Sequence, residues 1–185
     1  MVTKRRAVFL DRDGVLVIPE FRSGRSFAPV RIDSYQFYPE AASALARLKA
    51  ADYLLVVVTN QPDVGKGLIS CEVMDEMHAR LRRAMPIDAI MACFHDQTET
   101  CNCRKPKPGM LLEAAEELCI DLAESYMVGD RASDVEAGEA AGCRTVFIDL
   151  DYVERKPTAP TYTARSITQA VDFILGVPPN YQEVL

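Results

Sequence analysis

No stretch of the 185 residues approaches the roughly 18 consecutive apolar residues that a membrane-spanning helix requires. The N-terminus, Met1-Val2-Thr3-Lys4-Arg5-Arg6, also lacks the apolar core of a cleavable signal. Both absences lead to the expectation of a soluble, cytoplasmic protein with no membrane partner. Positive charge is scarce as well. The chain has 21 Lys and Arg against 27 Asp and Glu, a net charge of −6, which argues against nucleic acid as its main partner. A local basic pocket for a phosphorylated metabolite remains compatible with that balance. The basic run Lys4-Arg5-Arg6 leads straight into the first apolar segment and reads as a solvated lead-in. The six cysteines are not spread as a disulfide framework would be: Cys93, Cys101 and Cys103 crowd together with His95 among them. That clustering points to metal rather than to bridges.

What is present is an ordinary globular composition, 49% hydrophobic and 26% charged, with enough chain for one substantial core. We expect one domain over residues 1–176 and a tail over 177–185. Apolar runs at 6–10, 53–58, 87–93, 126–128 and 145–148 read as strands. Between them lie helical patterns. One starts at Pro39 and runs to about Ala50; one follows the N-cap Ser70; one opens at Pro108; one stops at Gly142; and a last one follows Ser166. The second helix carries Val73, Met74, Met77, Leu81 and Met85 as its core stripe, which leaves His78 on its surface. Cys71, Cys119 and Cys143 read as small core residues. Residues 62–68 suggest a Gly-rich turn and 151–163 a loop. Residues 15–38 show no helical period and read as a flap with a hairpin near Ser23-Gly24. The alternation predicts a three-layer α/β domain on a mostly parallel, Rossmann-like sheet of at least five strands.

In such a fold the strand C-termini converge on one edge. Asp11, Thr59, Cys93 and Asp130 all fall at predicted strand ends. Asp11, Asp13 and Asp130 form a candidate oxygen site for Mg²⁺, which commonly uses one or two carboxylates plus a substrate phosphate. With the charge repulsion offset, Asp11 can attack phosphorus. Asp13 can protonate the leaving oxygen and later activate water. Within Arg104-Lys105-Pro106-Lys107-Pro108, Lys105 is the candidate to neutralise the phosphoryl group, and Arg104 to hold the rest of an anionic substrate. Cys93, His95, Cys101 and Cys103 make a Cys₃His set, which selects zinc and leaves no open coordination position. A structural zinc would fold the 93–103 loop and anchor Arg104-Lys105. The Cys-x-His and Cys-x-Cys spacings are tighter than is usual for zinc, and buried or redox-active cysteines are the alternative.

These motifs together resemble the haloacid-dehalogenase-like phosphatases, within them the group acting on histidinol phosphate and D-glycero-D-manno-heptose 1,7-bisphosphate. The resemblance spans about residues 6–175. It rests on Asp11-Arg12-Asp13-Gly14-Val15, Thr59-Asn60-Gln61, Arg104-Lys105-Pro106 and Gly129-Asp130-Arg131-Ala132-Ser133-Asp134, joined to the cysteine loop. It implies a small, cytoplasmic, monomeric enzyme with a minimal cap. Asp11 is then the nucleophile, Asp13 the acid/base, Thr59 a phosphate hydrogen-bond donor and Lys105 the neutralising lysine. Mg²⁺ would sit on Asp11, the Asp13 backbone carbonyl and Asp130, with Asp134 supporting from behind. Val15 stands where the family often has Thr, and Phe94 where it often has Pro. Asn60 and Lys66 join Arg104 as candidate substrate contacts. The turn Asn60-Gln61-Pro62-Asp63-Val64-Gly65-Lys66-Gly67 favours a sugar bisphosphate, the heptose compound. The short spacer between His95 and Cys101, and Gly129-Asp130-Arg131-Ala132-Ser133-Asp134, are closer to the histidinol-phosphate branch. A non-catalytic, zinc-stabilised binding protein is a third reading, although it would have no need to keep Asp11, Asp13, Thr59, Lys105 and Asp130 together.

Overall fold

The structure is a computed structural model that describes residues 3–178. The expected tail therefore falls largely outside the described residues. Six parallel strands form one sheet in the order β5-β4-β1-β6-β7-β8. They are β1 (Ala7–Leu10), β4 (Leu54–Asn60), β5 (Ala89–Cys93), β6 (Tyr126–Gly129), β7 (Arg144–Ile148) and β8 (Tyr162–Ala164). β1 is central and all four of its residues are fully buried. Its side chains alternate between two cores, as a strand covered on both faces requires. Val8 and Leu10 join Leu55, Val57 and Val128 against α1 (Ala41–Ala50), α3 (Cys71–Ala84) and α6 (Ile167–Ile174). Ala7 and Phe9 join Val56, Val58 and Met127 against α4 (Gly109–Glu117) and α5 (Ala132–Ala141). The three layers follow from that alternation.

Several local expectations change. Residues 62–65 form a one-turn helix, α2 (Pro62–Gly65), rather than only a turn, because Pro62 supplies a helix-compatible first position. The 151–163 loop ends in β8, whose Ala164 is buried beside Ile148. His78 is only 8% exposed, a correction to its surface assignment. It stands four residues after Met74 and three before Leu81, so it shares their buried face. Of the three cysteines read as core, Cys143 is buried, whereas Cys71 and Cys119 are exposed; both sit at helix ends, where the apolar stripe no longer dictates direction.

The hairpin is present as β2 (Glu20–Arg22) and β3 (Arg25–Phe27), paired antiparallel. It docks on the loop after β7: Val153 N donates to Gly24 O at 3.2 Å, and Phe21 packs on Tyr152. Its root, Val15-Leu16-Val17, is buried in the main core.

Candidate active site

β1 stops at Leu10 and β6 at Gly129, and the chain crosses over in opposite directions from these neighbouring strands. The crevice at such a switch point opens at the strand C-termini, where Asp11 and Asp130 lie. Asp134 arrives from the first turn of α5. Its Oδ2 accepts the Arg131 N–H at 3.0 Å, which caps that helix. Ligand atoms of Asp11, Asp130 and Asp134 lie within 4.8 Å of one another, and all three residues are buried. Glycines make this crowding possible. A Cβ on Gly14, held at φ +94°, would stand 2.0 Å from Asp130 Oδ2, and one on Gly129 would meet Asp134 Cβ at 2.2 Å.

Lys105 is the counter-charge. Its Nζ lies 2.8 Å from Asp11 Oδ1 and 2.7 Å from Asp134 Oδ1, and it donates to Val58 O at 2.8 Å. Burial by itself would push this ammonium toward its neutral form; the charges of Asp11 and Asp134 outweigh that and hold its pKa above the usual lysine value. Asn60 fixes the lysine's backbone, accepting from Lys105 N and donating to Lys105 O, each at 3.1 Å.

One positive charge does not satisfy three carboxylates. Asp134 is raised to about 6, by burial first, with Lys105 opposing and Asp11 adding to the rise. Asp130 rises well above the usual carboxylate range, again by burial and then by the charges of Asp11 and Asp134. Both oxygens of Asp130 are buried without a hydrogen-bond partner. A buried carboxylate with two idle oxygens, facing a second carboxylate, is the environment a hard divalent cation completes. The residues present thus fit Mg²⁺. The Asp13 carboxylate is not in this cluster: the expected trio of side chains Asp11, Asp13 and Asp130 becomes Asp11, Asp130 and Asp134. Asp13 is instead drawn aside by Arg12 and by Gln61, whose Nε2 donates to Asp13 Oδ2 at 2.7 Å and to Thr59 Oγ1 at 2.9 Å.

A cleft of about 390 Å³ opens onto Asp11, Asp134 and Lys105. Asp11, Asp13, Thr59, Lys66, Arg104 and Arg131 are among its lining residues. Lys66 lies 3.7 Å from Asp63 and Arg104 donates to His95 O at 3.3 Å, so both cations reach the rim from anchored positions. Beside the cleft, the sulfurs of Cys93, Cys101 and Cys103 and His95 Nδ1 converge. Cys93 Sγ lies 3.8 Å from Cys101 Sγ and 3.1 Å from Cys103 Sγ; His95 Nδ1 is 3.5 Å from Cys93 and 3.3 Å from Cys103. This is a second potential metal-binding cluster.

Against known proteins, a family model described as HAD-hydrolase-like matches residues 102–170. A D-glycero-beta-D-manno-heptose-1,7-bisphosphate 7-phosphatase of Pasteurella multocida is 41% identical over 157 residues, covering 78% of this chain and 81% of the relative. The chain belongs to the haloacid-dehalogenase-like phosphatases. Its match falls in their heptose-bisphosphate 7-phosphatase group. The protein of the same name from Pseudomonas aeruginosa is 34% identical, covering 78% of this chain and 81% of its own length. A crystal structure of D,D-heptose 1,7-bisphosphate phosphatase from B. bronchiseptica, complexed with magnesium and phosphate, superimposes with a TM-score of 0.77 at 26% identity. It covers 94% of this chain and 99% of that one.

Within this phosphatase, sequence reasoning passed over Arg12, Gln61, Ser26, Arg131 and Tyr152. Arg131 Nη2 donates to the carbonyl and the hydroxyl of Ser26, both at 2.7 Å, and ties the β2–β3 hairpin to the loop that carries Asp130. Burial, and then the charge of Asp130, push the Tyr152 phenol above its ordinary range. Arg12, Gln61 and Arg131 stand inside the motifs that carry the resemblance, and Arg12 offered a further signal: a charge wedged between two aspartates directly after a buried strand. Ser26 and Tyr152 sit in segments without any pattern.

Proposed function

We propose that the chain hydrolyses the 7-phosphate of D-glycero-D-manno-heptose 1,7-bisphosphate through an aspartyl-phosphate on Asp11. The observation that carries the reading is the Lys105 ammonium bridging Asp11 and Asp134 beside the unpartnered Asp130 carboxylate. The substrate comes from the heptose-bisphosphate relatives, and the cations Lys66 and Arg104 on the cleft suit a second phosphate. Asp11, Asp130 and the Asp13 backbone carbonyl would hold Mg²⁺, with Asp134 behind them. Bound there, the ion offsets the repulsion between carboxylate and phosphate and stabilises charge in the transition state.

The chain's own groups account for the rest. Lys105 orients Asp11 and faces the phosphoryl oxygens. Gln61 donates to the Thr59 hydroxyl, which leaves that hydroxyl's own proton free for a phosphate oxygen. Asp13 gives a proton to the leaving oxygen and then takes one from the water that attacks the aspartyl-phosphate. Asn60 serves best as the clamp on Lys105, since its amide is engaged at both ends.

For the cysteine loop the proposed ion is structural zinc. Zn–S bonds near 2.3 Å in a tetrahedron imply S–S edges of about 3.8 Å, and the sulfurs lie 3.1 to 3.8 Å from Cys93. The test is phosphate release with Mg²⁺ from both heptose bisphosphate anomers and from histidinol phosphate at matched concentrations. A strong preference for one heptose anomer is expected; preference for histidinol phosphate would overturn the substrate assignment.

A further inference from the structure

Arg12 is the largest fully buried side chain of the described residues, at 0% exposure, yet it has no place in the reaction so far. Its guanidinium lies 5.4 Å from the centre of the Tyr35 ring, and Nη1 donates to Met74 Sδ at 3.1 Å. The carboxylate it touches is Asp13. Nε donates to both Asp13 oxygens at 3.1 Å and Nη2 donates to Oδ2 at 2.9 Å. Gln61 Nε2 adds a third donor to Oδ2 at 2.7 Å. The two oxygens of Asp13 are therefore unequal: Oδ2 receives three donors, Oδ1 shares one.

We infer that Arg12 is a positioning residue that pins Asp13 by Oδ2 and leaves Oδ1 as the oxygen that carries the proton. The inference rests on the reading of Asp13 as general acid and base. As the bond between Asp11 and phosphorus forms and the ester P–O bond breaks, the Oδ1–H bond breaks and its proton passes to the leaving oxygen. Water then attacks phosphorus, its proton returns to Oδ1, and inorganic phosphate leaves Asp11 free. A guanidinium fork fixes the carboxylate plane, which a point-charge ammonium cannot do. Packing on Tyr35 and Met74 locks the fork in turn, so the acid stays aimed without an entropic cost at the moment of transfer.

A buried ion pair with only a structural role would lower activity by lowering the amount of folded enzyme, equally for every substrate. Loss of a placed acid instead falls hardest on esters whose leaving oxygen most needs the proton. The discriminating measurement is the slope of log kcat/KM against leaving-group acidity for substituted phenyl phosphates, from phenyl to p-nitrophenyl, with Mg²⁺ present. It would be made on the wild type and on Arg12→Lys, Gln61→Met and Asp13→Asn. kcat/KM reports phosphoryl transfer to Asp11 and is blind to the later hydrolysis. Asp13→Asn sets the slope without the acid. Arg12→Lys is expected to steepen the slope toward it, losing about 100-fold on phenyl phosphate and under about 5-fold on p-nitrophenyl phosphate. Gln61→Met should move it the same way by less, and decides the matter alone if Arg12→Lys does not fold. Wild-type slopes in both, with a steep Asp13→Asn, would overturn the role of Arg12 and leave the acid intact. A wild-type slope in Asp13→Asn would instead remove the acid reading on which the inference stands.

Discussion

The described residues include two clusters of side chains that could hold a metal ion, both begun by a residue at the end of a parallel strand, and they differ in depth. Asp11 and Asp130 follow the central strands β1 and β6, and their carboxylates are buried with that of Asp134. Cys93 ends the edge strand β5; it is buried, but Cys101 and Cys103 are half-exposed and His95 is exposed. At the centre of the sheet, charge cannot be screened by water, so each carboxylate acts on its neighbours' protonation and on Lys105. At the edge, four soft ligands can organise a loop without imposing a field on the crevice. The segment 104–105 joins the two: Arg104 bonds to His95 O, and the next residue reaches Asp11 and Asp134.

The sharpest way to break this contrast is Asp11→Asn. It should cut kcat on the order of 1,000-fold or more with an unchanged circular dichroism spectrum, whereas wild-type turnover in a pure sample would remove Asp11 from the chemistry. Next come two lysines of one short run. Lys105→Met leaves buried carboxylates without their counter-charge and should cost about 3–5 kcal/mol in urea unfolding. Lys107→Met, whose exposed ammonium bonds among the described residues to Cys101 O alone, should stay within about 0.5 kcal/mol. Equal costs would show that depth does not separate them.

A smaller effect follows from the raised carboxylates. Asp134 binds its proton more tightly when folded, with a pKa of about 6. Its contribution to the metal-free protein is thus favourable below the unfolded carboxylate value near 4 and is lost as pH rises through about 6. Across that range the loss is on the order of 3 kcal/mol. Millimolar Mg²⁺ should accordingly raise the melting temperature more at pH 7 than at pH 4.5. An equal rise at both would detach the cation from the carboxylates. The mildest change in activity is expected for Cys101→Ser: metal content by elemental analysis should fall and the melting temperature with it, while kcat stays within about 5-fold. Unchanged zinc content would exclude Cys101 as a ligand.

The sequence alone was enough to read the alternation of elements, because apolar strands covered on both faces and well-signalled caps such as Ser70, Ser166 and Gly142 are local chemistry. Asp11, Thr59, Asp130 and the Cys₃His set were legible for the same reason: strand ends can be counted, and a doubly wound sheet sends them to one edge. Which carboxylates meet there was decided only by the tertiary structure. Asp13 stands two residues from Asp11, yet a buried guanidinium and Gln61 draw its side chain away, and Asp134 takes the third place because α5 starts beneath Asp130. The same holds for Ser26 under Arg131, 105 residues apart in sequence, and for His78. Pairings of that kind depend on how loops and helices pack over the sheet. Periodicity, which records one element at a time, carries no trace of them.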